Sequence, residues 1–292
     1  MSANLIIVDN FTLIGIMNAT TLSEVFTYQQ KTCSLFDTAG IAEALHEDGF
    51  ALIPGVLGQS EVVAAREALD RLQPFGLDGS SWSELNQHFK CVFNRDRLWL
   101  SYADRPGIIE LAESLMGSDC HIIGMTAWKS GPGYDGWRVH VDRVFVPVPE
   151  SVFAVSAALG EDRTFQLPVL ICTAHFYLSD VTEDLCPTYI IPGSHKSGRK
   201  PDRGQETRNG QSLEPVLCKA GDVLFFRSEI WHSGGKNTTT DRTRYMLQVH
   251  YSHRDIAQKF SPWPWQFNPE ILATATERQL RLLGKHPESS YG

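Results

Sequence analysis

His140 and Asp142 stand two residues apart in Trp137-Arg138-Val139-His140-Val141-Asp142-Arg143-Val144-Phe145. The apolar and β-branched residues around them predict a strand, and residues two apart in a strand project from one face. An imidazole and a carboxylate placed in this way can share a metal ion, but two protein ligands hold one poorly. A third is expected from elsewhere, and the candidate is His232 in Phe225-Phe226-Arg227-Ser228-Glu229-Ile230-Trp231-His232. Two imidazoles and one carboxylate on a single face of a metal, with its other positions open, form the donor set of a non-heme Fe(II) oxygenase. A second triplet, His46-Glu47-Asp48, serves as a control. It ends a segment of helical periodicity (Ile41, Leu45), where residues two apart point to nearly opposite sides, so we read it as a solvated helix end.

Ligands so far apart in sequence need a rigid frame, and the pattern predicts one. A helix starts at Thr38, which is expected to cap it, and stops at Gly49, where Phe50 to Ile53 forms a strand. A second helix spans about 59–72, with Val62, Val63, Ala65, Ala68, Leu69 and Leu72 on one stripe. Residues 74–100 suggest a long irregular connection, Gly107 to Met116 a short helix, and Cys120 to Trp128 a strand. The Gly-rich loop from Ser130 to Gly136 leads into the His140 strand as an entrance or as a plain hairpin connection, and residues 150–166 suggest an exposed insertion. Leu167 to Leu178 alternates, putting Ile171, Thr173, His175 and Tyr177 on one face. Thr188 to Ile191 is a further strand, closed by the turn Pro192 to His195, and 196–212 is a polar loop. Gly221-Asp222 turns into a strand expected to run on to His232, Arg244 to Tyr251 is the last strand, and a helix covers about 275–283. This order predicts a mainly β fold with flanking helices, an antiparallel double-sheet barrel or jelly roll, rather than alternating β/α units. We divide it into an N-terminal extension, 1–37, holding two apolar runs of no assigned role, and one domain, 38–292, with a C-terminal helical tail.

Composition excludes several classes of function. A net charge of −8 with no basic run disfavours nucleic acid and anionic membrane surfaces as partners. Six scattered cysteines without a Cys-x-x-Cys pair suggest reduced thiols, with neither a zinc knuckle nor a disulfide framework. With no secretory pattern and no apolar run of about twenty residues, a soluble cytoplasmic protein is expected. A homodimer is left open.

The motifs together resemble the phytanoyl-CoA hydroxylase-like family of Fe(II)/2-oxoglutarate-dependent oxygenases. They are Glu47-Asp48-Gly49-Phe50-Ala51-Leu52-Ile53-Pro54-Gly55, His140-x-Asp142, Leu178-Ser179-Asp180-Val181-Thr182-Glu183, Pro192-Gly193-Ser194-His195, Gly221-Asp222-Val223-Leu224-Phe225-Phe226 and Trp231-His232-Ser233-Gly234-Gly235-Lys236-Asn237, in order from about residue 40 to 253. The resemblance implies a double-stranded β-helix (cupin-like jelly roll) in which His140, Asp142 and His232 hold Fe(II). It also implies 2-oxoglutarate as co-substrate, chelating the metal through its keto acid, and O2 as the second. The far carboxylate would be bound by Arg244, with Arg242 as competitor because the spacing from His232 is one residue longer than usual. Thr188 falls where some members offer the co-substrate a hydroxyl, although Asp184-Leu185-Cys186-Pro187 replaces the family's usual Glu-Asn-Gly.

The expected outcome is oxidation of a C–H bond of a small molecule, hydroxylation first, with desaturation or ring formation as variants, in specialised-metabolite biosynthesis. Halogenation is disfavoured because Asp142 fills the place halide would take. His175, either a substrate contact or a core histidine, is grouped with Thr173, Met246 and Gln248 as the expected pocket, and His195 is assigned to its turn. Two rivals stand beside this reading. One is an acyl-CoA or lipid hydroxylase, which would want a basic patch that the sequence lacks. The other is a non-catalytic metal-binding barrel of cupin type, which has no need of a buried arginine on its last strand.

Overall fold

The computed structural model describes residues 32–35, 37–74, 84–143, 164–258 and 267–288, which belong to one compact unit. The apolar runs of the N-terminal extension and residues 150–163 of the expected insertion lie outside them. Helix α1 (Thr38–Glu47) is capped by Asp37, whose carboxylate accepts from the Gly40 amide at 2.9 Å, so the cap is one residue earlier than the expected Thr38. It buries Ile41, Ala44 and Leu45, while His46 and Glu47 stay exposed at its end. Helix α2 (Gln59–Arg71) buries Val62, Ala65, Ala68 and Leu69 but leaves Val63 exposed, because Val63 sits at the rim of the stripe. Helices α3 (Arg97–Ala103) and α4 (Ile108–Met116) follow, the latter ended by Gly117 at φ 98°. The tail carries two short helices, α5 (Pro269–Leu272) and α6 (Glu277–Leu282), where one was expected. Among the described residues no helix is long and apolar enough to cross a membrane.

The strands are β1 (Phe50–Ile53), β2 (Asn86–Lys90), β3 (His121–Ser130), β4 (Trp137–His140), β5 (Ile171–Tyr177), β6 (Thr188–Ile190), β7 (Thr207–Arg208), β8 (Gln211–Ser212), β9 (Glu214–Val216), β10 (Val223–Arg227), β11 (His232–Gly234) and β12 (Arg244–Ser252). A larger sheet runs β1-β10-β5-β12-β3-β2 and a smaller one β4-β11-β6-β9, with antiparallel pairing throughout both. This is the double-stranded β-helix, mainly β with flanking helices. Strand β2 lies inside the stretch expected to be irregular. Its sequence, Asn-Gln-His-Phe-Lys, puts only Phe89 in the apolar core, so its identity comes from pairing with β3 rather than from its own pattern. The strand expected to reach His232 is in fact two, since the chain leaves the larger sheet at Arg227 and enters the smaller one at His232.

The larger sheet has two unlike faces. Cys172, Ala174, Phe176, Val223, Phe225, Leu247, Val249 and Tyr251 join the helices in one apolar core, in which Tyr102 of α3 meets Phe176 edge to face at 5.6 Å. The alternate residues, Thr173, His175, Tyr177, Phe226, Met246, Gln248 and His250, turn the other way. That face meets the smaller sheet, where Phe226 lies 5.2 Å from His232 and the Tyr177 hydroxyl donates to Thr188 at 2.8 Å. The chamber of the barrel is the space between this polar, aromatic face and the smaller sheet.

Asp222 closes the turn before β10. Its carboxylate accepts from the Gly55 amide at 2.9 Å and the Lys219 amide at 2.8 Å, and the residue is buried. Asp222→Ala is expected to cost about 3 kcal/mol, since the two charge-assisted bonds that the buried carboxylate makes are lost. The urea midpoint of unfolding reads this; an unchanged midpoint contradicts the role given to the turn.

Candidate metal centre

Strands β4 and β11 pair so that His140 lies opposite His232. Antiparallel partners stand about 4.5–5.5 Å apart at Cα, so the register alone delivers two imidazoles to one place; their ring centroids are 4.3 Å apart. Asp142 lies two residues past His140, just beyond the end of β4. It is held there because the Asp142 and Arg143 amides both donate to the Ser228 carbonyl, at 3.1 and 3.3 Å, in the crossover from β10 to β11. One Asp142 oxygen is 3.7 Å from Nε2 of each histidine, and the three ligand atoms lie within 4.8 Å of one another. The chain approaches β4 through Gly136 at φ 81°, where a Cβ would come within 2.6 Å of the Gly234 carbonyl oxygen.

Each imidazole is oriented by its own backbone. His140 Nδ1–H donates to the Arg138 carbonyl and His232 Nδ1–H to the Ile230 carbonyl, each at 3.0 Å. That fixes the tautomer and leaves the Nε2 lone pair of each ring as the metal donor. Burial, with His232 next, lowers the His140 pKa to about 4, which keeps the ring neutral and able to ligate. The His232 side chain is 8% exposed, against 33% for His140 and 29% for Asp142, so the centre opens toward His140 and Asp142. Trp231 anchors the neighbouring backbone: its amide donates to Ser194 Oγ at 2.8 Å and its indole to Ser197 Oγ at 3.1 Å. These donors fit a six-coordinate d-block ion with three places left open. The control triplet at the end of α1 brings no such group together, and His195 instead bonds the His46 carbonyl at 3.1 Å.

Away from the metal ligands, Arg244 is 5% exposed. It donates to the Cys186 carbonyl at 2.9 Å and to Ser130 Oγ at 3.1 Å. No carboxylate pairs with it among the described residues, whereas Arg242 is exposed and bound to Asp184. Thr188 is buried beside Tyr177, as described above, so hydroxyls and a cation share one end of the chamber. Of the expected pocket residues, Thr173 bonds His250 at 2.9 Å, Gln248 bonds His175 at 2.8 Å, and Met246 lies on the same face as Gln248. Ser130, Tyr134 and Trp128 escaped the sequence reading. Ser130 is the cross-strand partner of Arg244, a pairing that no local pattern announces.

The model of the phytanoyl-CoA dioxygenase (PhyH) family matches residues 45–246. The dioxygenase af480 of Aspergillus fumigatus is 26% identical over 255 residues, covering 82% of this chain and 74% of the relative. The dioxygenase aneA of Aspergillus aculeatus is 29% identical over 271 residues, covering 86% and 83%. Among solved structures, the epimerase SnoN in complex with Fe3+, alpha ketoglutarate and nogalamycin RO superimposes with a TM-score of 0.56 at 24% identity, over 74% of this chain and 84% of that one. HygX from Streptomyces hygroscopicus with nickel and 2-oxoglutarate bound gives 0.58 at 18% identity, over 75% and 88%. These structural likenesses support the fold.

Two outcomes follow from the geometry. Asp142→Ala is expected to weaken Co(II) binding by about a hundredfold in titration calorimetry, and Asp48→Ala to leave it unchanged, the loss being one of three ligands. Equal effects would contradict the site. Partial burial of His88 and His140 and full burial of His195 lower their pKa values to about 3, 4 and 3, chiefly by desolvation. Below the ordinary value near 6.5 the unfolded chain binds protons that the folded chain refuses, so metal-free stability should fall as pH drops from about 6.5 toward 4. Chemical unfolding across that range measures it; a flat profile contradicts neutral burial.

Proposed function

The chain belongs to the phytanoyl-CoA dioxygenase family of Fe(II)/2-oxoglutarate-dependent enzymes, and on that premise we propose that it oxidises a C–H bond of a small molecule in specialised-metabolite biosynthesis. His140, Asp142 and His232 hold the iron in this reading, and Arg244 receives the far carboxylate of 2-oxoglutarate. The observation that carries it is the buried, acid-free guanidinium of Arg244. Burying an uncompensated charge costs several kcal/mol, roughly, and a ligand carboxylate offsets that cost. A plain metal-binding barrel gives no reason for such a group.

Bound iron, with 2-oxoglutarate and O2, supplies the oxidant that breaks the C–H bond and yields succinate and CO2. The chain's own residues place and shield the reactants. The planar fork of Arg244 can grip a carboxylate through two parallel bonds and so sets the direction of the co-substrate. Thr188 accepts from Tyr177 and keeps its own proton to donate to the same carboxylate. Thr173, His175, Met246 and Gln248, all on the chamber face of the larger sheet, line the pocket beyond. Asp142 occupies the coordination place that a halide would need, which favours oxygen chemistry over halogenation. A specialised metabolite as substrate is supported by SnoN and HygX, whose structures carry nogalamycin RO and hygromycin B. Six free cysteines, five of them buried, support a reducing, cytoplasmic location.

The direct test is turnover. Protein with Fe(II), 2-oxoglutarate, O2 and a small-molecule library should form succinate in step with one oxidised library member. The product mass then reports a gained oxygen or two lost hydrogens. Succinate formation with no member ever consumed contradicts the substrate class. Arg244→Lys and Arg244→Ala should raise the half-saturating 2-oxoglutarate concentration by at least about thirtyfold, equivalent to about 2 kcal/mol, and Arg242→Ala should change it little. A large defect in Arg242→Ala alone would move the anchor to the surface.

A further inference from the structure

His175 lies on the chamber face of the larger sheet, 3% exposed, near enough to His232, His140 and Arg244 to feel their charges. Its ring meets Phe226 edge to face at 4.7 Å, and Phe226 in turn lies 5.2 Å from His232. A neutral imidazole carries its proton on one nitrogen or the other, and here the neighbouring strands decide which. Trp128 Nε1–H donates to a side-chain atom of Gln248 at 2.9 Å, and Thr126 Oγ1 donates to the same atom at 2.9 Å. An indole N–H has no acceptor capacity, so that atom of Gln248 is the carbonyl oxygen. The amide NH2 of Gln248 is therefore the end that faces His175 Nε2 at 2.8 Å. Because an NH2 can only donate, Nε2 is the acceptor and the proton of His175 sits on Nδ1. That Nδ1 is buried and has no hydrogen-bond partner among the described residues. The indole is held by His88, stacked on it at 3.7 Å with the planes 6° apart.

We propose that Trp128, acting through Gln248, fixes His175 as the Nδ1–H tautomer, and that this orphaned N–H donates to an oxygen of the 2-oxoglutarate lying between the metal ligands and Arg244. The inference rests on the functional reading above for its ligand, and on Trp128 for its tautomer. An unmet buried donor is costly, and an incoming oxygen acceptor recovers that cost. Gln248 and Trp128 are positioning residues, since each acts on the ligand only through His175. Thr173 cannot take this part, because its hydroxyl is engaged with His250.

Nitrogen-15 histidine labelling of the Zn(II)-loaded protein tests it, because zinc holds the ligand without turnover. Long-range proton–nitrogen correlation should show His175 protonated at Nδ1 and bare at Nε2, and addition of 2-oxoglutarate should move the Nδ1 proton downfield. A proton on Nε2 overturns the tautomer, and an Nδ1 proton unmoved at saturating 2-oxoglutarate overturns the donor role. Trp128→Phe should turn the single tautomer into a mixture. His175→Phe and Gln248→Met should weaken 2-oxoglutarate binding about tenfold, the equivalent of one hydrogen bond, by calorimetry on the zinc form. His175→Asn, whose amide NH2 can occupy the place of Nδ1–H, should restore binding to within about threefold of wild type. Asparagine binding as weakly as phenylalanine, in protein that still folds by circular dichroism, counts against the donor. If wild-type protein itself fails to bind 2-oxoglutarate, the functional reading falls, while the tautomer result stands or falls separately.

Discussion

The antiparallel register of β4 against β11 is the constraint on which the rest of the molecule depends. One residue of slip would turn His140 or His232 to the opposite face of the smaller sheet and leave Asp142 with a single imidazole. Several contacts hold the register from outside the pair. The Ser228 carbonyl takes the Asp142 and Arg143 amides, the Trp231 indole is buried under the 194–199 segment, and Gly136 admits β4 close to the Gly234 carbonyl. The crossover between the sheets is stiffened by Arg227, which donates to the Leu167 and Pro168 carbonyls and lies 3.7 Å from the buried carboxylate of Glu229. Burial raises the Glu229 pKa and the guanidinium beside it pulls it back down. Such a pair adds little net stability but fixes where the chain turns.

The two faces of the larger sheet divide the work. One face gives the helices a continuous apolar surface, and that burial supplies most of the driving force for folding. The other spends stability on histidines, hydroxyls, an amide and an arginine. Those groups are tolerable because most are bonded to one another: Thr173 to His250, Gln248 to Thr126, Trp128 and His175, and Tyr177 to Thr188. The histidines remain neutral because desolvation dominates. On the chamber side, Arg244 has no carboxylate partner and His175 Nδ1 no acceptor among the described residues.

The parts of this arrangement visible in the sequence were those written in short periods. The alternation of β5 puts Thr173, His175 and Tyr177 on one face, as observed, and Met246 and Gln248, grouped with His175 in the expected pocket, lie on the same face of the neighbouring strand β12. The His46 triplet was recognised as a helix end from its period alone. What the sequence hid depends on tertiary pairing. Strand β2 carries almost no apolar alternation and exists because β3 offers an edge. The break between β10 and β11 is hidden because Arg227-Ser228-Glu229-Ile230 has no turn glycine or proline, and its turn is made by buried polar contacts instead. Asp37 rather than Thr38 caps α1 because both have capping side chains and only the backbone angles choose between them. The relay from Trp128 to His175 joins three strands, β3, β12 and β5, so no window of sequence contains it.

The claim at the centre of this account is that one ion is bound by His140, Asp142 and His232 with a 2-oxoglutarate carboxylate reaching Arg244. Crystals grown without oxygen in the presence of Fe(II) and 2-oxoglutarate, measured at the iron absorption edge, test it most directly. The account predicts one anomalous peak within about 2.0–2.3 Å of both Nε2 atoms and an Asp142 oxygen, with the far carboxylate of 2-oxoglutarate paired to the Arg244 guanidinium. An anomalous peak on other side chains, or a co-substrate carboxylate facing away from Arg244, would contradict it.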